Sequence, residues 1–138
     1  MKLTPFIRKA NYYETDRMDI VHHSNYIRWF EEARIDILDQ MGFPFTEIEG
    51  RGLMVPVLSV ECQYKFPIKF GDEFQIDCKI TDFNGCKFSM EYVVTNLTTG
   101  KLSCTGKSSH CFTDGNLKPV RIKNSYPELY QAYLSAME

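Results

Sequence analysis

Ser24–Gly42 reads SNYIRWFEEARIDILDQMG. Apolar side chains recur at Tyr26, Trp29, Phe30, Ala33, Ile37 and Met41. Offsets of three and four place them on one face of an α-helix. Arg28, Glu31, Glu32 and Asp39 fall largely off that face. Ser24 or Asn25 offers a side-chain oxygen to cap the first turn. Gly42 can take the left-handed conformation that ends helices. The spacing predicts about 17 residues of helix, about 25 Å long. In a chain of 138 residues, such a helix is the central element.

Downstream of the helix the period changes to two. Met54, Leu58, Val60, Cys62, Tyr64 and Phe66 alternate with polar residues, and Pro56 points to an edge strand or an irregular start. After Pro67 and Gly71-Asp72, Phe74, Ile76, Cys78 and Ile80 alternate in the same way. Asn84-Gly85 is a hairpin signal, since both residues tolerate positive φ. Phe88, Met90, Tyr92 and Val94 follow, then a turn at Thr99-Gly100 and a less apolar strand over Leu102–Phe112. Short turns between such strands predict an antiparallel meander. Its apolar face needs a partner, and the long helix is the large one available.

Upstream, Phe6–Glu14 reads as a first strand with imperfect alternation. The expectation is an α+β fold with an antiparallel sheet of about five strands curled around one long central helix. Near the C-terminus, Ser125, Pro127 and Glu128 open a short helix whose Leu129, Tyr130, Tyr133 and Leu134 face inward as a cover. No repeat or linker divides the chain, so residues 1–138 are expected to form one domain.

Composition narrows the function classes. The net charge is −2, which supplies no basic face for nucleic acid. No apolar run reaches membrane-spanning length, and the N-terminus lacks the apolar core of a signal peptide. A hydrophobic fraction of 43% provides a real core. Five cysteines, an odd number without a CxxC pair, argue against a disulfide framework and a zinc site. Three histidines without suitably spaced partners make no metal site. The expected location is cytoplasmic, with no cofactor.

Chemistry concentrates just before the helix, in Tyr12–Phe30, YYETDRMDIVHHSNYIRWF. Asp16 and Asp19 are followed by His22 and His23. A helix N-terminus presents unpaired backbone N–H groups and the positive end of the helix dipole. A carboxylate just upstream faces that end. From residue chemistry alone, such an aspartate is a turn or capping residue.

The order strand, loop, long helix, meander is the hotdog arrangement. The opening stretch resembles the signature of the 4-hydroxybenzoyl-CoA thioesterase-like acyl-CoA thioesterases. The matching residues are Thr15-Asp16, Val21, His23, Asn25 and Tyr26, with Arg28–Arg34 as the first helical turns. Val60–Tyr64, Gly71-Asp72, Ser109–Asp114 and Pro119–Arg121 resemble later strands and their exits. The resemblance runs from Tyr12 to Arg121. One position departs from it: the family's glycine three residues after its catalytic aspartate is Asp19 here. Aspartate tolerates the left-handed region, so the turn can survive. A second carboxylate beside Asp16 would disfavour ionisation of one of the two.

The resemblance implies hydrolysis of an acyl-CoA to a free acid and CoA. It implies Asp16 as nucleophile or general base, and the backbone N–H at His23 as donor to the thioester oxygen. Such a donor contributes on the order of 3–4 kcal/mol to the transition state. Asp19, Tyr26, Trp29, Lys65 and Arg121 are the candidate substrate-binding residues. Tyr26 and Trp29 also read as core, and in a fold whose helix is the core one residue can do both. The implied assembly is a homodimer or homotetramer. Two alternatives stand beside this reading: an acyl-carrier-protein thioesterase, and a non-catalytic acyl-binding hotdog module.

Overall fold

The central helix, α1, spans Ser24–Gln40. It ends as the sequence predicts. Gly42 takes φ 86°, its N–H donates to the Asp39 carbonyl, and the Phe43 N–H reaches back 2.9 Å to Leu38. These two bonds close a Schellman motif and satisfy carbonyls that the helix leaves open. The computed structural model describes residues 1–137. Around α1 run β1 (Phe6–Lys9), a 3-10 turn (Tyr12–Glu14), α2 (Phe45–Gly50), β2 (Val57–Tyr64), β3 (Glu73–Phe83), β4 (Lys87–Asn96), β5 (Lys101–Cys111), α3 (Ile122–Ser125) and α4 (Pro127–Ala136).

The five strands form one sheet in the order β1-β3-β4-β5-β2, antiparallel throughout. The β3–β4 hairpin turns at Asn84-Gly85, with Phe83 opposite Phe88. Alternation in β3 and β4 matches the pattern read from sequence: Phe74, Ile76, Ile80, Phe88, Met90, Tyr92 and Val94 are buried. Their partners come from α1. Trp29 stacks on Phe74 with ring centroids 4.0 Å apart, and Phe30 stacks on Tyr92 at 4.2 Å. Burying one such side chain contributes about 1.5–3 kcal/mol.

The helix lies close enough to the sheet that Gly106 on β5 has no room for a side chain. A Cβ there would stand 2.5 Å from the Phe30 ring. α4 covers one end of the core, with Pro127 in its first turn and Leu129, Tyr133 and Ala136 buried. This is the hotdog arrangement, an α+β fold of five strands wrapped on one helix.

Four expectations are corrected. The meander holds for β3, β4 and β5, but β2 crosses to the far edge and pairs with β5 rather than with β3. The first strand stops at Lys9 rather than Glu14. Residues Tyr12–Glu14 coil into the 3-10 turn, which swings the Glu14 carboxylate back beneath Arg8. Neither Ser24 nor Asn25 caps α1 through its side chain. Instead the His22 ring does so, its Nδ1 accepting from the Ser24 N–H at 3.2 Å. Finally, the apolar face of β2 is not covered by α1. Leu58, Val60 and Tyr64 remain exposed on this edge strand.

Candidate active site

The loop between the 3-10 turn and α1 is held by a short ladder. Thr15 bridges Val21, and Ile20 bridges Lys69. Inside it, the Asp16 N–H donates to Ile20 at 2.9 Å and the Asp19 N–H donates to the Asp16 carbonyl at 3.1 Å. Asp16 Oδ1 accepts from the Met18 N–H at 2.8 Å, which leaves its second oxygen without a protein donor among the described residues. Asp19 takes φ 61°, the left-handed conformation that the tight turn requires.

Glu14 fastens this loop to the helix. It is only 4% exposed. Its carboxylate accepts from Arg8 at 2.6 Å, from the Trp29 indole N–H at 2.7 Å and from the Asn11 N–H at 2.8 Å. Its carbonyl accepts from the His22 N–H at 2.8 Å and from Asn25 Nδ2 at 2.9 Å. Burial alone would push the Glu14 carboxyl up. The hydrogen bonds from Arg8, Asn11 and Trp29 outweigh it and hold the group below the usual carboxylate range.

The first turn of α1 has little free hydrogen-bonding capacity. The Ser24 N–H goes to His22 Nδ1, the Asn25 N–H to the His22 carbonyl and the Tyr26 N–H to the His23 carbonyl. The His23 N–H donates to nothing among the described residues. His23 is in helical conformation at the N-cap position, so this N–H sits at the positive end of the helix dipole. The exposed Tyr64 hydroxyl donates to the His23 carbonyl oxygen at 3.2 Å.

Asp16, His23, Tyr26 and Lys65 line one groove of about 280 Å³, together with Met18 and Tyr64. The structure thus brings four of the seven candidates together. The other three lie elsewhere. Asp19 is exposed at the loop's tip. Trp29 is fully buried, its one polar atom spent on Glu14. Arg121 is exposed just before α3, beyond the end of β5. Sequence reasoning missed Glu14, Tyr64 and the capping role of His22. An acidic residue closing an otherwise aromatic and basic strand was the available signal for Glu14.

Asp16 and His23 line the same groove, and a carboxylate and a free amide brought to one carbonyl can divide the chemistry between them. The amide can stabilise negative charge on the oxygen, and the carboxylate can attack the carbon or take a proton from water.

Relatives carry the same frame. The model of the thioesterase-like superfamily matches residues 11–132. YneP of Bacillus subtilis (strain 168) is 33% identical over 129 residues, 93% of this chain and 93% of its own. The acyl-CoA thioesterase YbgC of Haemophilus influenzae is 28% identical over 113 residues, 81% of this chain and 82% of its own. Among solved structures, a DHNA-CoA thioesterase from Staphylococcus aureus superposes with a TM-score of 0.92 at 27% identity, over 98% of this chain and 91% of that one. With the Asp16 loop, α1 and the whole meander inside the matched span, the chain belongs to the thioesterase-like superfamily.

Proposed function

We propose that this protein hydrolyses the thioester of an acyl-CoA, releasing a carboxylic acid and CoA. The observation that supports the reading is that Asp16 and His23, whose N–H makes no bond among the described residues, line one groove. The thioester oxygen takes the His23 N–H. Asp16 then acts in one of two ways. As a base it removes a proton from water while the water oxygen bonds to the carbonyl carbon. As a nucleophile it forms a mixed anhydride that water cleaves afterwards. In both cases the C–S bond breaks and the CoA thiolate leaves and gains a proton. The bond from the Met18 N–H holds the Asp16 side chain in place.

The remaining parts follow from position. Tyr26 and Tyr64 form the aromatic wall for the acyl group. Lys65 supplies a cation at the groove for the phosphates of CoA. Trp29 and Asp19 act as positioning residues, the first through Glu14 and the second through the turn. Arg121, exposed before α3 and outside the lining of this groove, stands as a further candidate cation for CoA.

The exposed β2 edge suits pairing with a second copy in a homodimer, since an open apolar edge strand is otherwise an aggregation hazard. Further pairing of dimers would give a homotetramer. The whole chain acts as one domain. The setting is cytoplasmic, where five unpaired cysteines stay reduced. Among the described residues no helix is long and apolar enough to cross a membrane.

The test is a panel of aliphatic and aromatic acyl-CoA esters, assayed for release of free thiol beside the same acyl groups on carrier protein. Turnover of the CoA esters is expected. Turnover confined to carrier-protein substrates would replace the substrate class. Tight binding of a thioether analogue with no turnover of any ester would make the protein a binding module. For an active ester, a single turnover in ¹⁸O-water tests for the anhydride: label recovered in the aspartate requires one cleaved at its aspartyl carbon, whereas label in the free acid alone fits direct water attack or an anhydride cleaved at its acyl carbon.

A further inference from the structure

A second cavity lies away from the groove, between α1, α4 and the inner face of the sheet. Its volume is about 200 Å³, and its walls are mainly apolar, including Leu38, Val55, Ile80 and Phe88. Arg34 and His110 also line it, and both belong to one polar chain. Arg34 Nη1 donates to the Tyr92 hydroxyl at 3.1 Å, that hydroxyl meets Ser108 Oγ at 2.5 Å, and Ser108 Oγ meets His110 Nε2 at 2.7 Å. Tyr92, Ser108 and His110 are 1%, 4% and 1% exposed.

Two features of this chain are incomplete. The half-buried Arg34 guanidinium pairs with no carboxylate among the described residues. Glu31, one turn earlier at the cavity rim, makes no bond to it. His110 Nδ1 likewise makes no hydrogen bond among the described residues, although it is not sealed away: the buried side-chain atom without a partner among them is Ser103 Oγ. Burial and the Arg34 charge pull the imidazole down to about 4, so the ring is neutral at physiological pH and Arg34 is the cation of the site, with the Glu31 carboxylate also on its lining. A guanidinium in an apolar pocket is matched by a planar carboxylate, which accepts two parallel N–H bonds. A cavity of about 150 Å³ already admits benzene.

We propose that this cavity binds a small aromatic carboxylate, its ring against the apolar walls and its carboxylate on Arg34 with His110 beside it. Arg34 lies eleven residues beyond His23 on α1, about 16 Å along the helix axis. The site is therefore separate from the groove of the same chain and stands whether or not Asp16 is catalytic. The anion has two sources: a free acid, or the carboxylate at the far end of an acyl group.

Sodium benzoate and its neutral isostere benzamide are titrated into the full-length protein, with the His110 ring nitrogens followed by ¹⁵N NMR. Benzoate is expected to bind at least tenfold tighter than benzamide and to shift the His110 signals. Arg34→Met is expected to abolish the preference, and Arg34→Lys to retain part of it. Equal affinity for the two ligands in the wild-type protein, silent His110 signals, or unchanged benzoate affinity in Arg34→Met would each overturn the proposal. The wild-type comparison holds even if a variant fails to fold. Competition with a thioether acyl-CoA analogue assigns the source. Joint occupancy points to a free acid and displacement points to the acyl terminus, and both outcomes support the site.

Discussion

Asp19 holds φ 61° four residues before His23, in the turn that also carries Asp16. Aspartate is one of few non-glycine residues that visit this region, and a side chain there still costs up to about 1–2 kcal/mol. Asp19→Gly is therefore expected to keep or slightly raise the thermal midpoint and to leave hydrolysis within about threefold. A β-branched Asp19→Val should lower both, as a melting curve and a thiol-release assay would record. This departure was legible in the sequence because turn chemistry is local. The role of His110 was not. Its partners, Ser108, Tyr92 and Arg34, lie on three different elements, and only the fold gathers them. With its imidazole pulled down to about 4 by burial, His110 binds a proton less readily folded than unfolded. Stability is thus complete above about pH 6.5 and falls as the pH drops toward 4, by up to about 3 kcal/mol. Denaturant midpoints across that window should show the slope in the wild-type protein, and His110→Gln should flatten it. An equal slope in both would remove His110 as its source.

At the scale of elements, two contacts of α1 hold the groove in place. One is its seat on the sheet at Gly106, where a methyl group would meet Phe30 and the Glu61 carbonyl oxygen. Neither the ring nor the backbone can yield freely. Gly106→Ala is expected to destabilise by about 1–3 kcal/mol, read from denaturant unfolding. The other contact is the Trp29 indole on Glu14, which ties the Asp16 loop to the helix. Trp29→Phe keeps the stacking on Phe74 but leaves a buried carboxylate short of one donor, so it should cost about 1–3 kcal/mol and lower kcat more than it raises KM. The helix, its glycine stop and strands β3 to β5 were readable because each follows from periodicity within one segment. The end of β1 was not. What bends the chain at Tyr12–Glu14 is a carboxylate whose partners are Arg8 on one side and Trp29 on the other, and no local pattern encodes that pairing. The groove was legible in part for the same reason: Asp16, His23 and Tyr26 are sequence neighbours, whereas Tyr64 reaches His23 from β2.

At the scale of the whole molecule, β2 is the anomaly. Its alternation reads as half-buried, yet Leu58 and Val60 stay exposed, because the face that sequence marks as apolar has no cover within one chain. In the proposed homodimer, a second copy paired along this edge would bring that cover. Val60→Lys is expected to shift the protein toward monomer in sedimentation experiments; an unchanged mass would place the interface elsewhere. The proposed hydrolysis in the groove at the head of α1 rests on the Asp16 carboxylate. Asp16→Asn is compared with the wild-type protein for kcat on an acyl-CoA and for affinity toward its thioether analogue, with folding checked by circular dichroism. Loss of the carboxylate is expected to lower kcat by about 10²–10⁴-fold while analogue affinity stays within a few fold. A folded Asp16→Asn variant that turns over at the wild-type rate would contradict the account.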